Sequence, residues 1–173
     1  MSTDPFLVPI TSLRRRPGVR RHERRSGAVG ELQVAGTRVD RGALVDMDVV
    51  LEVAVGGIAV EGTVVASWLG ECRRCARAVD GRVTAEVREL YRPAGAAEDE
   101  EETYLLGPDH LDLRPLARDA VLLELPLAPL CRPDCAGLCP TCGADRNEAP
   151  CACATEAGDP RWAALDSLRP DSY

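Results

Sequence analysis

The placement of the cysteines constrains this chain more than any other feature. Cys72, Cys75, Cys131, Cys135, Cys139, Cys142, Cys151 and Cys153 fall in two clusters rather than being scattered through apolar runs. The start Met1-Ser2-Thr3-Asp4-Pro5 has no charged-then-apolar leader, so export is not expected, and a reducing interior disfavours disulfides. The spacing then points to metal. Cys139-Pro140-Thr141-Cys142-Gly143 has the form of a zinc-ribbon knuckle. Pro140 stiffens the turn, and Gly143 permits the positive φ that aims backbone N–H groups at sulfur. Cys72-Arg73-Arg74-Cys75 is a second Cys-x2-Cys turn.

Tetrahedral Zn²⁺ takes four thiolates, so eight cysteines suggest two zinc ions with four cysteines each. Such a site has no open position and is structural rather than catalytic. Chain reach alone leaves the partition open. The neatest division pairs Cys72 and Cys75 with Cys131 and Cys135, leaving Cys139, Cys142, Cys151 and Cys153 as a local second site. The first site would then clamp the tail to the body, and the second would fold a Pro/Gly-rich segment with little core of its own. Arg73, Arg74, Arg77, Arg132 and Arg146 are close enough in sequence to offset thiolate charge. An Fe–S cluster is the alternative, which the Cys-Pro-Thr-Cys-Gly turn disfavours. His110 as a substitute ligand is outweighed by a solvated residue ahead of a helix.

Between the N-terminus and the clusters the pattern is antiparallel β. From Asp46 to Val55, Met47, Val49, Leu51, Val53 and Val55 share one face, a period of two. Gly56-Gly57 reads as a two-residue turn with positive φ at both positions. Ile58 to Trp68 returns with Val60, Val64, Ala66 and Trp68 on one face. A third strand runs from about Val79 to Tyr91, and Glu31 to Val39 adds one more. Cys72 and Cys75 therefore sit at a hairpin tip. Leu111 to Pro126 reads as a helix, with Asp112 as cap, Pro115 in the first turn and Pro126 as stop. Its stripe of Leu113, Leu116, Ala117, Ala120 and Leu123 or Val121 should cover the sheet. Asp159 to Leu168 reads as a short amphipathic helix.

The expected fold class is α+β: an antiparallel β-meander covered by one helix, with a cysteine-rich zinc-binding C-terminal segment. The expected divisions are a basic N-terminal arm over residues 1–30 and a single domain over 31–173. Within that domain come the meander (31–95), an acidic loop (96–109), the helix (111–126), the zinc-binding segment (131–153) and the short helix (159–169).

Charge is spread unevenly. Residues 1–30 carry seven arginines against two acids, while the whole chain has a formal net charge of −7. The run holding Arg14, Arg15, Arg16, Arg20, Arg21, Arg24 and Arg25 can neutralise nucleic-acid phosphates. It could equally meet an acidic surface, or remain a solvated arm. Glu98-Asp99-Glu100-Glu101-Glu102 reads as a repelling exposed loop.

Composition excludes several functions. There is no lysine, which removes Schiff-base catalysis and a Walker-type phosphate loop. His22 and His110 leave few candidates for histidine acid–base work. Six aromatic residues do not furnish a base-stacking surface; Trp68 and Trp162 read as packing residues. No run of 18 apolar residues exists to span a membrane.

Several stretches together resemble one family. Glu71-Cys72-Arg73-Arg74-Cys75 resembles its ECxRC-type turn, and Leu111-Asp112-Leu113 through Leu122-Leu123-Glu124-Leu125-Pro126-Leu127 resembles its DL…LLxLP helix. The cysteine-bearing tail, with Asn147 and then Asp159-Pro160-Arg161, is similar as well. The family is that of the YceD-like proteins, bacterial proteins linked to accumulation of large-subunit (23S) ribosomal RNA, and the likeness runs from about residue 31 to 169. It implies a cytoplasmic ribosome-biogenesis factor, not an enzyme, acting on 23S rRNA through pre-rRNA or a ribosomal protein. No small-molecule substrate and no catalytic residue are implied. It also implies that the second cysteine set is dispensable for the shared role, since some members lack it. Beside this stand two other readings: a zinc-ribbon regulatory protein that binds nucleic acid, and a thiol redox switch or hydrolase, which would need an exposed, acidic cysteine.

Overall fold

A computed structural model describes residues 4–14, 18–95, 104–153 and 161. Among these residues the chain is mostly strand. It runs β1 (Leu7–Pro9), α1 (Thr11–Arg14), β2 (Arg20–Ala28), β3 (Leu32–Val34), β4 (Thr37–Val39), β5 (Leu44–Ala54), β6 (Gly57–Glu71), β7 (Ala78–Pro93), β8 (Leu105–Leu106), β9 (His110–Asp112) and α2 (Arg114–Glu124). The longest alternating stretches of sequence become the longest strands, because alternation lets one face bury while every backbone group pairs sideways. Val45, Met47, Val49 and Leu51 of β5, Val60, Val64 and Ala66 of β6, and Val83, Ala85 and Val87 of β7 are all buried.

β5, β6 and β7 are consecutive antiparallel neighbours, and β2 pairs along β5 from Arg20↔Glu52 to Ala28↔Leu44. Beyond β7 the sheet continues through β8 and β9 to β1. The β7–β8 pair is parallel and the others are antiparallel. One run of the sheet thus goes from β2 to β1, its neighbour in the chain, while β4 and β3 branch from the far end of β6. That run curls until β2 and β1 approach: Arg21 Nη2 donates to the Pro9 carbonyl at 2.8 Å. Gly27 lets this happen, since a Cβ there would stand 2.5 Å from Pro5 Cγ and 3.1 Å from the Phe6 ring.

Four expectations are corrected. The basic arm over residues 1–30 is not an arm. Phe6, Val8, Ile10 and Leu13 are core residues, and nine residues from Arg20 form β2. The period-two spacing of Phe6, Val8 and Ile10 is the signal, and the charge of the following run masks it. The domain therefore begins well ahead of residue 31. Second, the β5–β6 turn is Val55-Gly56, with φ +85° at Gly56, while Gly57 is already in β6 opposite Ala54. Gly57 is needed because the Tyr91 carbonyl oxygen passes 1.9 Å from where its Cβ would be. Val55 consequently lies at the tip, 99% exposed, instead of on the inner face. Third, Glu31 to Val39 is not one strand but the β3–β4 hairpin, turning at Ala35 with φ +50°. Fourth, α2 starts at Arg114, with β9 occupying residues 110–112, so Leu113 holds the cap position and Asp112, the expected cap, lies one residue ahead of it. Its Oδ1 accepts from the Arg114 N–H at 2.9 Å.

Leu116, Ala117, Ala120 and Val121 of α2 are buried in the same core as the sheet, and Leu123 is exposed. Thr37 is 1% exposed, and its Oγ1 lies 3.0 Å from the Val34 carbonyl and 3.1 Å from that of Pro126. It fixes where the chain leaves α2 for the cysteine-rich segment. The acidic stretch Glu98 to Glu102 and the short helix expected over residues 159–169 lie outside the described residues, apart from Arg161.

Candidate metal centre

The longest hairpin puts its tip beside the chain that leaves α2. β6 ends at Glu71, opposite Ala78 of β7, and the turn between them carries Cys72 and Cys75. The turn closes through Cys72 N–H to the Arg77 carbonyl and Ala76 N–H to the Cys72 carbonyl, both 2.8 Å. Ala76 takes φ +56° so that both sulfurs lie on one side. The incoming chain adds to this tip by backbone bonds: Arg73 N–H to the Pro129 carbonyl at 2.9 Å, and Leu138 N–H to the Arg74 carbonyl at 3.0 Å. Gly137, at φ +73°, allows that approach. A side chain there would press within 3.0 Å of the Arg74 carbonyl.

The outcome is a four-thiol cage. The sulfurs of Cys72, Cys75, Cys131 and Cys135 all lie within 4.8 Å of one another. Cys72 Sγ is 3.8 Å from Cys135 Sγ, and Cys75 Sγ is 3.6 Å from Cys131 Sγ. A tetrahedron with metal–sulfur bonds of about 2.3 Å has edges of about 3.8 Å. A disulfide would need about 2.05 Å. The donor set and its spacing therefore fit one tetrahedral, sulfur-preferring ion. Three of the four cysteines are buried, with Val79 and Leu130 packed against them.

Cys139, Cys142, Cys151 and Cys153 form the second cage, again within 4.8 Å of one another. Here a knuckle is built locally. Cys139 N–H donates to the Ala144 carbonyl at 2.8 Å and Gly143 N–H to the Cys139 carbonyl at 2.9 Å, with Gly143 at φ +74°. Leu138 and Asp145 pair as an isolated bridge. Cys142 is exposed, and Cys151 and Cys153 are half-buried.

The thiols of each cage differ in how readily they ionise. Burial pushes the Cys72 thiol up, but the N–H groups of Cys131, Arg74 and Cys75 outweigh it and bring the thiol down to about 6. Cys135 is also lowered. Burial opposes this, and the Gly137 N–H and the Asn147 side chain overcome it. The remaining two thiols resist ionising. Cys131 is pushed up to about 12 by burial and then by its neighbouring sulfurs. Cys75 is raised as well: the Arg77 N–H on its sulfur is outweighed by burial and by Cys72 and Cys135. In the second cage the Cys142 and Thr141 N–H groups bring Cys139 down to about 6, while Cys142, followed by burial, pushes Cys153 up to about 12. Four anions cannot share so small a volume unaided, and a dication at the centre removes the penalty.

Three of the neighbouring arginines meet oxygen partners instead of sulfur. Arg74 Nη1 donates to the Cys135 carbonyl at 2.9 Å, Arg77 Nη2 lies 3.2 Å from Asp145 and 3.3 Å from Glu148, and Arg132 Nη2 donates to Asn147 Oδ1 at 2.8 Å. They brace the loops, while backbone N–H groups meet the thiolates. Sequence reasoning gave Asn147 no role of its own. Its Nδ2 donates to Cys135 Sγ at 3.4 Å. Asp145-x-Asn147, an Asx-type turn inside a cysteine-rich loop, is the signal that could have found it.

His110 lies in β9 and His22 in β2, and neither joins a cysteine group. Arg15 and Arg16 lie outside the described residues. Arg20 and Arg24 point outward from β2 and meet Glu52 at 3.4 Å and Asp48 at 2.9 Å; His22 faces Asp48 too. Arg21 and Arg25 are on the other face, 2.7 and 2.6 Å from Glu23. Arg14 Nη1 donates to the Pro108 carbonyl at 2.8 Å. The run is therefore a charge-paired strand more than a free cationic surface.

These features define a class: a curled-sheet protein whose longest hairpin is joined to its cysteine-rich end by a four-thiol cage, with a second such cage beyond it. The chain belongs to the YceD family, the large ribosomal RNA subunit accumulation proteins, whose pattern matches residues 60–169. At family level this is a ribosome-related role. An uncharacterized protein of Mycobacterium tuberculosis (strain H37Rv) is 40% identical over 177 residues, covering 97% of this chain and 84% of its own. An uncharacterized protein of Mycobacterium leprae is 34% identical over 173 residues, covering 96% of this chain and 79% of its own. No solved structure matches. Among the described residues, no helix is long and apolar enough to cross a membrane.

Proposed function

We propose that this protein supports accumulation of large-subunit ribosomal RNA as a non-enzymatic, cytoplasmic factor that binds a pre-rRNA or a ribosomal protein. In this reading each cage holds one Zn²⁺. The observation that carries it is the family match over residues 60–169, which includes the hairpin-tip turn and all eight cysteines. The cage chemistry supports a scaffolding part for the metal. Four sulfurs fill the coordination sphere of Zn²⁺, so no position is left for water or substrate. The ion's contribution is to join the hairpin tip to residues 131 and 135 and so hold one binding surface in shape.

The test is deletion of the gene, followed by measurement of the 23S to 16S rRNA ratio and crosslinking of the tagged protein in cells. The expected result is a lowered ratio, with crosslinks to large-subunit precursors. An unchanged ratio with crosslinks to duplex DNA or RNA polymerase would replace this reading with the regulatory one. Elemental analysis of natively isolated protein should find two zinc ions per chain.

A further inference from the structure

Asn147 belongs to the loop of one cage and touches the other. It lies between Cys142 and Cys151, two thiols of the second cage, while its amide reaches the first cage at three points. Its Nδ2 donates to Cys135 Sγ at 3.4 Å, and its Oδ1 accepts from the Ala136 N–H and from Arg132 Nη2, both at 2.8 Å. Ala136 follows Cys135, and Arg132 follows Cys131. The amide therefore meets both thiol-bearing turns that the tail contributes to the first cage.

The orientation of this amide is imposed from the second loop. The Asp145 carboxylate accepts from the Asn147 N–H at 2.8 Å and from Nδ2 at 2.6 Å. Asp145 is held in turn by its bridge to Leu138 and by Arg77, which follows the hairpin-tip turn. The segment carrying Asp145 and Asn147 is anchored at one end by Cys139 and Cys142 and at the other by Cys151 and Cys153. That segment has little core of its own, so closing the second cage is what holds both its ends.

We propose that Asn147 couples the two cages: metal in the second cage fixes the loop that places the Asn147 amide on the Cys135 sulfur, and the first cage binds its metal more tightly as a result. The inference rests on the zinc reading above. It makes Asn147 a positioning residue rather than a ligand. Hydrogen-bond partners outside the ligand sphere typically contribute about 10–100-fold to metal affinity. Linkage requires reciprocity, so a filled first cage strengthens the second by the same factor.

The test uses the full chain and Zn²⁺ competed with a chromophoric chelator. Wild-type protein should bind two ions. One ion or none would sink the zinc reading itself, before the coupling is tested. Given two ions, Cys142→Ser/Cys153→Ser should lower first-cage affinity about 10–100-fold, and so should Asn147→Ala in the otherwise intact chain. Combining the changes should cost no more than either alone. Cys75→Ser should weaken the second cage by a matching factor. With Co²⁺ in the first cage, Asn147→Asp should shift the sulfur-to-metal charge-transfer band, because an N–H donor on sulfur is replaced by an anion. First-cage affinity that stays at the wild-type value without the second cage, additive losses, or an unmoved band would each overturn the coupling.

Discussion

Arg114 Nη2 lies 2.6 Å from Asp4 Oδ2, joining the first turn of α2 to the segment that leads into β1. Its Nη1 donates to the Ala28 carbonyl at 2.7 Å, and the guanidinium stands 5.4 Å from the centre of the Phe6 ring. One side chain thus secures both strands at the place where the sheet curls back on itself. The Arg114 hydrogen bond, with help from the Phe6 N–H, holds the Asp4 carboxyl below the usual carboxylate range against the opposing effect of burial. A lowered folded-state pKa contributes stability above the unfolded value, and that contribution fades as pH falls through the folded one. Asp4→Asn should therefore cost about 1 kcal/mol at pH 7. The gap between wild type and variant should close as pH drops below about 4, measured by urea unfolding across pH. A gap that holds constant into acid would show that the pair contributes no pH-dependent stability.

Gly56 and Gly57 adjoin, yet their substitutions should differ. Gly56 has φ +85° and open space around it, so Gly56→Ala meets only backbone strain, about 1 kcal/mol. Gly57→Ala would drive a methyl to within 1.9 Å of the Tyr91 carbonyl oxygen. The β6–β7 ladder would have to part there, at a cost of about 3 kcal/mol or more. Thermal unfolding of the two variants distinguishes these effects, and equal losses would mean that the two glycines share one role.

That pair shows where the sequence could be read and where it could not. Alternation over residues 46–68 specifies two strands and their buried faces, because burial acts on side chains. The register of the turn is a matter of one residue, and two adjacent glycines cannot show which supplies positive φ and which supplies clearance. The β3–β4 hairpin turns at Ala35-Gly36, and it is the alanine that takes φ +50°. β2 was hidden more deeply. Its inner-face residues Arg21, Glu23 and Arg25 pair opposite Leu51, Val49 and Met47, so no apolar alternation reveals the strand. Partnership with Asp48 and Glu52 across the ladder is visible only once β5 is in place. The cysteines were legible because a four-thiol cage writes itself as spacing. Asn147 was harder to see, because Asp145-x-Asn147 marks a turn while its hydrogen bond to sulfur leaves no spacing of its own.

The two cages should not matter equally to stability. In the first, Cys72 and Cys135 are 63 positions apart and Cys75 and Cys131 are 56, so an ion held there would close long loops of the unfolded chain. The second closes only the span from Cys139 to Cys153. Closure entropy grows with the logarithm of loop length, which favours the first by about 1–2 kcal/mol. Its better burial adds to that difference. Cys72→Ser should therefore lower the unfolding midpoint more than Cys153→Ser, although each removes one metal ion. Denaturation followed together with metal content checks this, and an equal or reversed order would mean that the first cage does not act as a clamp.

The arginines of β2 bear on how RNA would be met. Arg20 and Arg24 are 62% and 77% exposed at the side chain, and their carboxylate partners are each 45% exposed. Exposed pairs of this kind are worth about 0–1 kcal/mol, so a phosphate can displace the carboxylate at little cost. Each arginine that truly neutralises a phosphate contributes about 0.7–0.9 to the slope of log affinity against log salt. If this strand is the contact, Arg20→Ala with Arg24→Ala should weaken binding of a pre-23S fragment and reduce that slope by about 1.5–2. Asp48→Asn should do the opposite, because it frees Arg24 from a competing anion. Mobility-shift titrations at several salt concentrations measure all three. An unchanged slope in the double variant would mean that β2 stays paired with β5's acids and that the partner binds elsewhere on the sheet.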